Sequence, residues 1–522
     1  MASQTSLQHS SLNARLTPTK YTHVSSSGKS VPLLQYRGVP FGRIPARFNP
    51  SESIDSFDGA DLDCTRFGPR CPQHQIDVGH LLRIPRAPGT KGIGEGEEED
   101  EFKCLNCVIT VPDGAKEGDN LPVLVWIHGG SIVVTYASVE SGICDPSKIV
   151  ADSVEQGTPI IVVSLNYRLN IFGFGDLQDD HINLGLRDQA LGLKWTAKHI
   201  QGFGGSPDKI TVAGESAGAF CTHGQTILGG PAKRAIMMSG SLFLSPPQPL
   251  ARGQGFIAQL SEQVKKTTGQ SLAEAPAAEL LAALGVLNVK TMWNHATPAL
   301  AQWQTTDEDV SAILVGDCEY ETVIWRNGVE SYTAPEIITV FESIEGLSPT
   351  LRQRLLGAYG IHADRDVASK NGVLDLVADV RFAWATDRLA SKFRRQGKEA
   401  YAYIVDEPNP WQASARAHHA VDLLYLFEGR DLSFRPSAQK VAQTMRAAWI
   451  KFVNGEAPWG KKSGKEEQAF AFGPHGRCEL IDRTELAVRR RVDHWKLLEE
   501  VGWDNLNLLT GKLVAGRISL DN

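Results

Sequence analysis

Short apolar runs, each closed by turn residues, punctuate the chain. Val123-Leu124-Val125-Trp126-Ile127 lies between Pro122 and Gly129, Ile160-Ile161-Val162-Val163 and Ile210-Thr211-Val212-Ala213 repeat the type, and Ala400-Tyr401-Ala402-Tyr403-Ile404-Val405 follows much later. Runs of this length without polar alternation predict strands buried on both faces, as in a parallel sheet. Leu184, Leu191 and Trp195 recur at helical spacing and predict a helix over Asn183–His199 with one buried stripe. Strand, helix, strand in this order predicts a parallel sheet with helices on its faces. From about Gly255 to Glu399 the pattern is mostly helical and rich in Ala and Leu. The expectation is therefore one α/β domain over residues 1–522 with a helical insertion, preceded by a flexible segment over residues 1–30.

Composition narrows the class. With 522 residues and 42% hydrophobic content the chain can bury a large core, and a net charge of -7 argues against a nucleic-acid partner. No apolar stretch approaches the roughly 18 to 20 residues that span a bilayer, so no membrane partner is expected. Met1–Ser30 lacks an apolar signal core, and Ser519-Leu520-Asp521-Asn522 carries no retention or peroxisomal address. A cytoplasmic protein is the expectation. Eight cysteines are too few for a disulfide scaffold. Cys104-x-x-Cys107 has no second such pair or His pair nearby, so no metal is expected. The acidic run Glu95–Glu101 after Gly92-Ile93-Gly94 reads as a solvated loop.

The sharpest chemical signal is Gly214-Glu215-Ser216-Ala217-Gly218, a G-x-S-x-G directly after a predicted strand. That context asks the chain to turn abruptly from strand to helix with Ser216 at the apex, where side chains two positions away on either side would collide. The following helix aims its free N–H groups at the same apex. A Ser hydroxyl needs a base, and the oxyanion it creates needs donors. His128-Gly129-Gly130-Ser131, right after another buried strand, offers the amides of Gly130 and Ser131; with that of Ala217 they are the expected oxyanion hole.

Several ordered motifs between Tyr36 and Trp503 then resemble type-B carboxylesterases, the cholinesterase-like α/β-hydrolases, and fungal intracellular members in particular. They are Tyr36-Arg37-Gly38-Val39-Pro40-Phe41-Gly42, Asn166-Tyr167-Arg168-Leu169 with Phe172-Gly173-Phe174, Leu186-Arg187-Asp188-Gln189 through Trp195, and Met445-Arg446 with Trp449 and Asn454-Gly455. The resemblance implies the α/β-hydrolase fold, a large mostly parallel sheet with helices on both faces and a helical insertion over the active site. It also implies the rest of a triad. His419-Ala420-Val421-Asp422-Leu423 through Phe427 fits the stretch that carries the base, with Ala420 replacing Gly, and leaves His418 as a loop residue. Glu321, five residues beyond Gly316, fits the acid, with Thr322 where the family has Gly and with Asp317 and Glu319 as competitors. Ser131 replaces the third Gly of the family's oxyanion loop and is expected to narrow the acyl side. The resemblance also implies a disulfide between Cys71 and Cys104 in an oxidising compartment; in a reducing one the pair stays as two thiols.

The implied activity is hydrolysis of carboxylic esters through an acyl-enzyme, with a small-molecule substrate and no cofactor. Acyl transfer, lactone hydrolysis or cyclisation in a secondary-metabolite pathway would use the same triad, and a non-catalytic cholinesterase-like binding protein would need none of it. Trp303, Trp325 and Trp411 are candidates for lining the roof of the site, against packing roles.

Overall fold

The computed structural model describes residues 6–86, 92–178, 180–460 and 469–519. Among these a thirteen-stranded sheet forms the centre. Ile161–Leu165, Leu121–Ile127, Gly205–Glu215, Arg234–Met238, Ala312–Cys318, Glu399–Val405 and Ala469–Phe472 lie side by side in that order, each parallel to the next. Antiparallel strands complete both ends, with Ala14–Val24, Ser30–Pro40 and Asn106–Pro112 on one side and Cys478–Ile481 on the other.

The unbroken apolar runs have a direct structural reason. Val123, Val125, Ile127 and Val212 enter one hydrophobic core, while Leu124, Trp126 and Ala213 enter a second core on the opposite face. Successive side chains of a strand point to opposite faces, so a strand covered on both must be apolar throughout. The first face is covered by the helices Leu184–His199 and Ala217–Leu228, the second by Ser147–Glu155, Val421–Phe427 and Pro436–Val453. Trp449 anchors the second core against Tyr403 and Phe472, with ring centroids 5.0 and 5.9 Å away. The insertion supplies the helices from Leu250–Thr268 to Trp384–Arg395 on the first face, where Val492–Val501 and Trp503–Val514 from the C-terminal region join them.

Three sequence readings change. Residues 1–30, expected to be a flexible segment, contain the paired strands Leu7–His9 and Ala14–Val24. Ala14 and Leu16 are buried on either side of exposed Arg15, a two-residue alternation that the Ser- and Thr-rich composition concealed. The acidic run is a loop but is clamped rather than freely solvated: Arg70 donates to Glu97 at 2.9 Å and Glu99 at 3.1 Å, and Arg47 to Glu101 at 2.6 Å. Cys71 and Cys104 are buried neighbours present as free thiols, not a bridge. The interaction with Cys71, reinforced by burial, holds the Cys104 thiol well above its ordinary range. No helix is long and apolar enough to cross a membrane among the described residues.

Candidate active site

The site forms where two neighbouring strands end. Ile127 is paired with Gly214, so residues 128–131 and 215–217 leave the sheet side by side at its carboxyl edge. Ser216 takes φ 54° and ψ -115°, a conformation costing about 1–3 kcal/mol outside glycine, and stands between the strand and the helix Ala217–Leu228. Its amide donates to the Met238 carbonyl at 2.9 Å, and its carbonyl accepts from Ala219 and Phe220. These bonds hold the strained residue in place. A Cβ on Gly218 would run into the carbonyl of Ile127, which is fixed in the sheet. Gly218→Ala is therefore expected to lose about 1–3 kcal/mol of stability, measured by denaturant unfolding, and to lose ester turnover with it.

The structure brings the three expected side chains into one line. His419 Nε2 lies 2.9 Å from Ser216 Oγ, and His419 Nδ1 lies 2.5 Å from Glu321 Oε2. The second oxygen of Glu321 accepts from the Cys318 amide at 2.6 Å. The loops that carry acid and base are tied together, since Tyr320 N donates to Ala417 O at 2.8 Å and His419 N to Tyr320 O at 3.1 Å. Ala420 has φ 67°, which is why a Gly is natural there, whereas Thr322 has φ -81° and needs none. The competitors are engaged elsewhere. Glu319 accepts from exposed Arg416 at 2.7 Å, and Asp317 accepts from buried Arg490 at 2.6 Å. His418 is not an ordinary loop residue, because it is buried between Asn409, at 3.0 Å, and the His419 carbonyl, at 2.8 Å.

Two further carboxyl groups surround the imidazole. Glu215 Oε1 lies 3.3 Å from His419 Nε2 without a hydrogen bond of its own, and Asp422 is fully buried at the start of the next helix. Burial pushes Glu215 up to about 8, against the pull of His419, with Asp422 and Glu321 adding to the rise. Burial would lower His419, but the carboxylates of Glu215 and Glu321, with Asp422 behind them, reverse this and raise it to about 9. Glu215 lies inside the G-x-S-x-G motif, yet nothing in the motif itself signals where its carboxyl points.

The expected donors are also together. The Gly130 carbonyl accepts from Val133 at 2.9 Å and Val134 at 3.1 Å, and the Ser131 carbonyl accepts from Met292 at 3.0 Å. The amides of Gly130 and Ser131 meet no backbone carbonyl among the described residues. Ala217 opens its helix, where an amide has no intrahelical acceptor. Ser131 adopts φ 57°, so it supplies a side chain at a glycine-like backbone position.

Two cavities, of about 200 and 390 Å³, meet at Ser216 and share Ser131, Ile324 and Ile518 as a partition. Ser131, expected to narrow the acyl side, borders both cavities. Of the three tryptophans, Trp325 lines the larger cavity, Trp303 is buried among Phe243 and Trp503, and Trp411 packs near Phe434. Ile518 reaches the site from the C-terminal strap, which is fastened by the Ser519 amide to the Ile324 carbonyl at 2.8 Å. No local motif marks it.

Comparison with known proteins agrees with this architecture. A sequence model of the carboxylesterase family matches residues 19–474. The chain is 30% identical to Lipase 3 of Yarrowia lipolytica, over 92% of this chain and 95% of that one. It is 29% identical to the para-nitrobenzyl esterase of Bacillus subtilis, over 87% and 92% respectively. Among solved structures, the Geobacillus stearothermophilus carboxylesterase EST55 superposes with a TM-score of 0.70 over 93% of this chain and 99% of that one at 23% identity, and a PNB esterase with 0.69 over 93% and 100% at 22%. These neighbours share the α/β-hydrolase fold. On its sequence, the chain is a member of the carboxylesterase family.

Proposed function

We propose that this carboxylic ester hydrolase works through a Ser216–His419–Glu321 triad and an acyl-enzyme intermediate. His419 accepts the Ser216 proton as the oxygen attacks the ester carbonyl. Glu321 holds the imidazole in the tautomer that presents a lone pair to Ser216 and stabilises the imidazolium that forms. The amides of Gly130, Ser131 and Ala217 receive the developing oxyanion, each donor contributing about 3 kcal/mol in the transition state. His419 then protonates the departing alcohol, and water activated by the same imidazole releases the acid. The continuous 2.9 and 2.5 Å contacts from Ser216 through His419 to Glu321 carry this reading.

Its test is the time course of para-nitrophenyl acetate cleavage. A burst of nitrophenol matching the enzyme concentration, followed by slower steady turnover, is the expected result when deacylation limits; trapping the acetyl group on Ser216 by acid quench covers the case where it does not. Turnover with no acetylated Ser216 at any time would overturn the mechanism.

The charge around the base makes a second measurement informative. A general base must be unprotonated, so activity rises as pH passes the imidazole pKa. Glu215 is one of the carboxylates that raise that pKa. Glu215→Gln is therefore expected to move the acid limb of the pH profile of kcat/KM to lower pH. An unmoved or raised limb would remove Glu215 from the electrostatics of the base.

A further inference from the structure

The larger cavity at Ser216 has an unusual charge balance for a chain with net charge -7. Its wall carries Arg252, Arg381 and Lys512 and no Asp or Glu among the described residues. Arg381 is the decisive member. It is buried, at 5% exposure, on the π-helical turn Asp379–Ala383 that interrupts the helices of the insertion. Such turns re-aim a side chain out of the helical register and are frequent at functional sites. Its guanidinium donates to two backbone carbonyls, Phe243 at 2.9 Å and Asn507 at 3.1 Å, and to no carboxylate. Asp379 on the same turn is taken by Arg491, with two contacts of 2.9 Å. Burial alone lowers Arg381 to about 10, with no acidic neighbour to reverse it. Arg252 lies over Trp293 and donates to Gln248 at 2.7 Å, and Lys512 bonds Ser343. Neither has an acidic partner among the described residues.

A buried guanidinium without a counter-charge is costly unless something else supplies the charge. Carbonyl contacts satisfy some of its N–H donors but neutralise nothing. A buried cation on a cavity wall also focuses a positive field into it, which favours an anionic occupant, and Arg252 and Lys512 add positive charge from exposed positions on the same wall.

The two cavities have different roles if the proposed mechanism holds, and the inference rests on that reading. The smaller one contains His419, which protonates the leaving alcohol, so the alcohol departs on that side. The larger one lies on the Phe220 side of Ser216 and contains no part of His419, which makes it the acyl pocket. We propose that this acyl pocket is a subsite for acyl groups ending in a carboxylate, with Arg381 as its buried anchor and Arg252 and Lys512 as supporting cations. The preferred substrates are then half-esters of dicarboxylic acids, cleaved at the ester while the free carboxylate sits against the guanidinium.

The test compares para-nitrophenyl hydrogen adipate with para-nitrophenyl hexanoate, which has the same chain length and no charge, after subtraction of the uncatalysed rates. Wild-type enzyme is expected to favour the adipate in kcat/KM by about tenfold or more, the scale of one charge-assisted hydrogen bond, and to keep most of that preference as salt is added, because a buried pair is screened much less than an exposed one. Arg381→Gln is expected to lower the adipate value by about tenfold or more while changing the hexanoate value much less. A merely bracing role for Arg381 would lower both equally. Should that variant not fold, Arg252→Gln, at an exposed position, is expected to lower the adipate value more than the hexanoate value. Hexanoate turnover without adipate preference in the wild type would overturn the subsite and leave the hydrolase mechanism standing. Failure to cleave either ester would overturn both.

Discussion

Ser216→Ala is expected to lower kcat for para-nitrophenyl butyrate by at least about 10³-fold, with the unfolding midpoint nearly unchanged. The size follows from what the substitution removes. The oxyanion donors and the cavities remain, and these alone leave a residual acceleration over water, but no covalent route survives. The structure explains why stability should hold. Ser216 contributes its strained backbone through amide and carbonyl bonds to Met238, Ala219 and Phe220, none of which uses the hydroxyl. Its hydroxyl bonds only His419 among the described residues. Alanine does not relieve the positive φ, so the local fold keeps its shape. Turnover and thermal unfolding measured on the same preparation separate this outcome from simple misfolding.

Glu321→Gln is expected to depress kcat by about 10³- to 10⁴-fold, the scale seen when the acid of such a triad becomes an amide. Glu319→Gln is expected to change it little. Glutamine at 321 preserves the shape but turns a donor or a neutral oxygen toward His419 Nδ1, weakening control of the tautomer and removing the charge that stabilises imidazolium. Glu319 faces solvent and Arg416, a pair worth at most about 1 kcal/mol. The reverse ranking, in steady-state assays of both variants, would move the acid to Glu319.

How much of this could be read without coordinates depends on where each residue's signal lies. Ser216 was legible because its motif follows an apolar strand and because the backbone demands glycines at fixed offsets. The parallel sheet was legible in Val123–Ile127 and Ile210–Ala213, whose lack of alternation reports burial on both faces. His419 and Glu321 were legible through family resemblance, with neighbours left as rivals; the contacts of Glu319 with Arg416, Asp317 with Arg490 and His418 with Asn409 separate them. The strand Ala14–Val24 was hidden under a polar composition, since a half-buried strand needs few apolar residues. Arg381 and Ile518 had no legible signal. One stands on a π-turn of the insertion and the other on the C-terminal strap, and only tertiary packing brings them to the same cavity. Glu101 and Glu97 were misread for a related reason, because their arginine partners lie 27 or more residues away.

The most direct measurement of the central claim is labelling with a fluorophosphonate, an electrophile that reacts with an activated serine hydroxyl held beside a base, followed by peptide mass spectrometry. The mechanism predicts one equivalent of label on the peptide containing Ser216, loss of esterase activity in proportion to labelling, and no label in Ser216→Ala. Label on another residue accompanying the loss of activity, or full activity in a protein whose Ser216 is fully labelled, would contradict it.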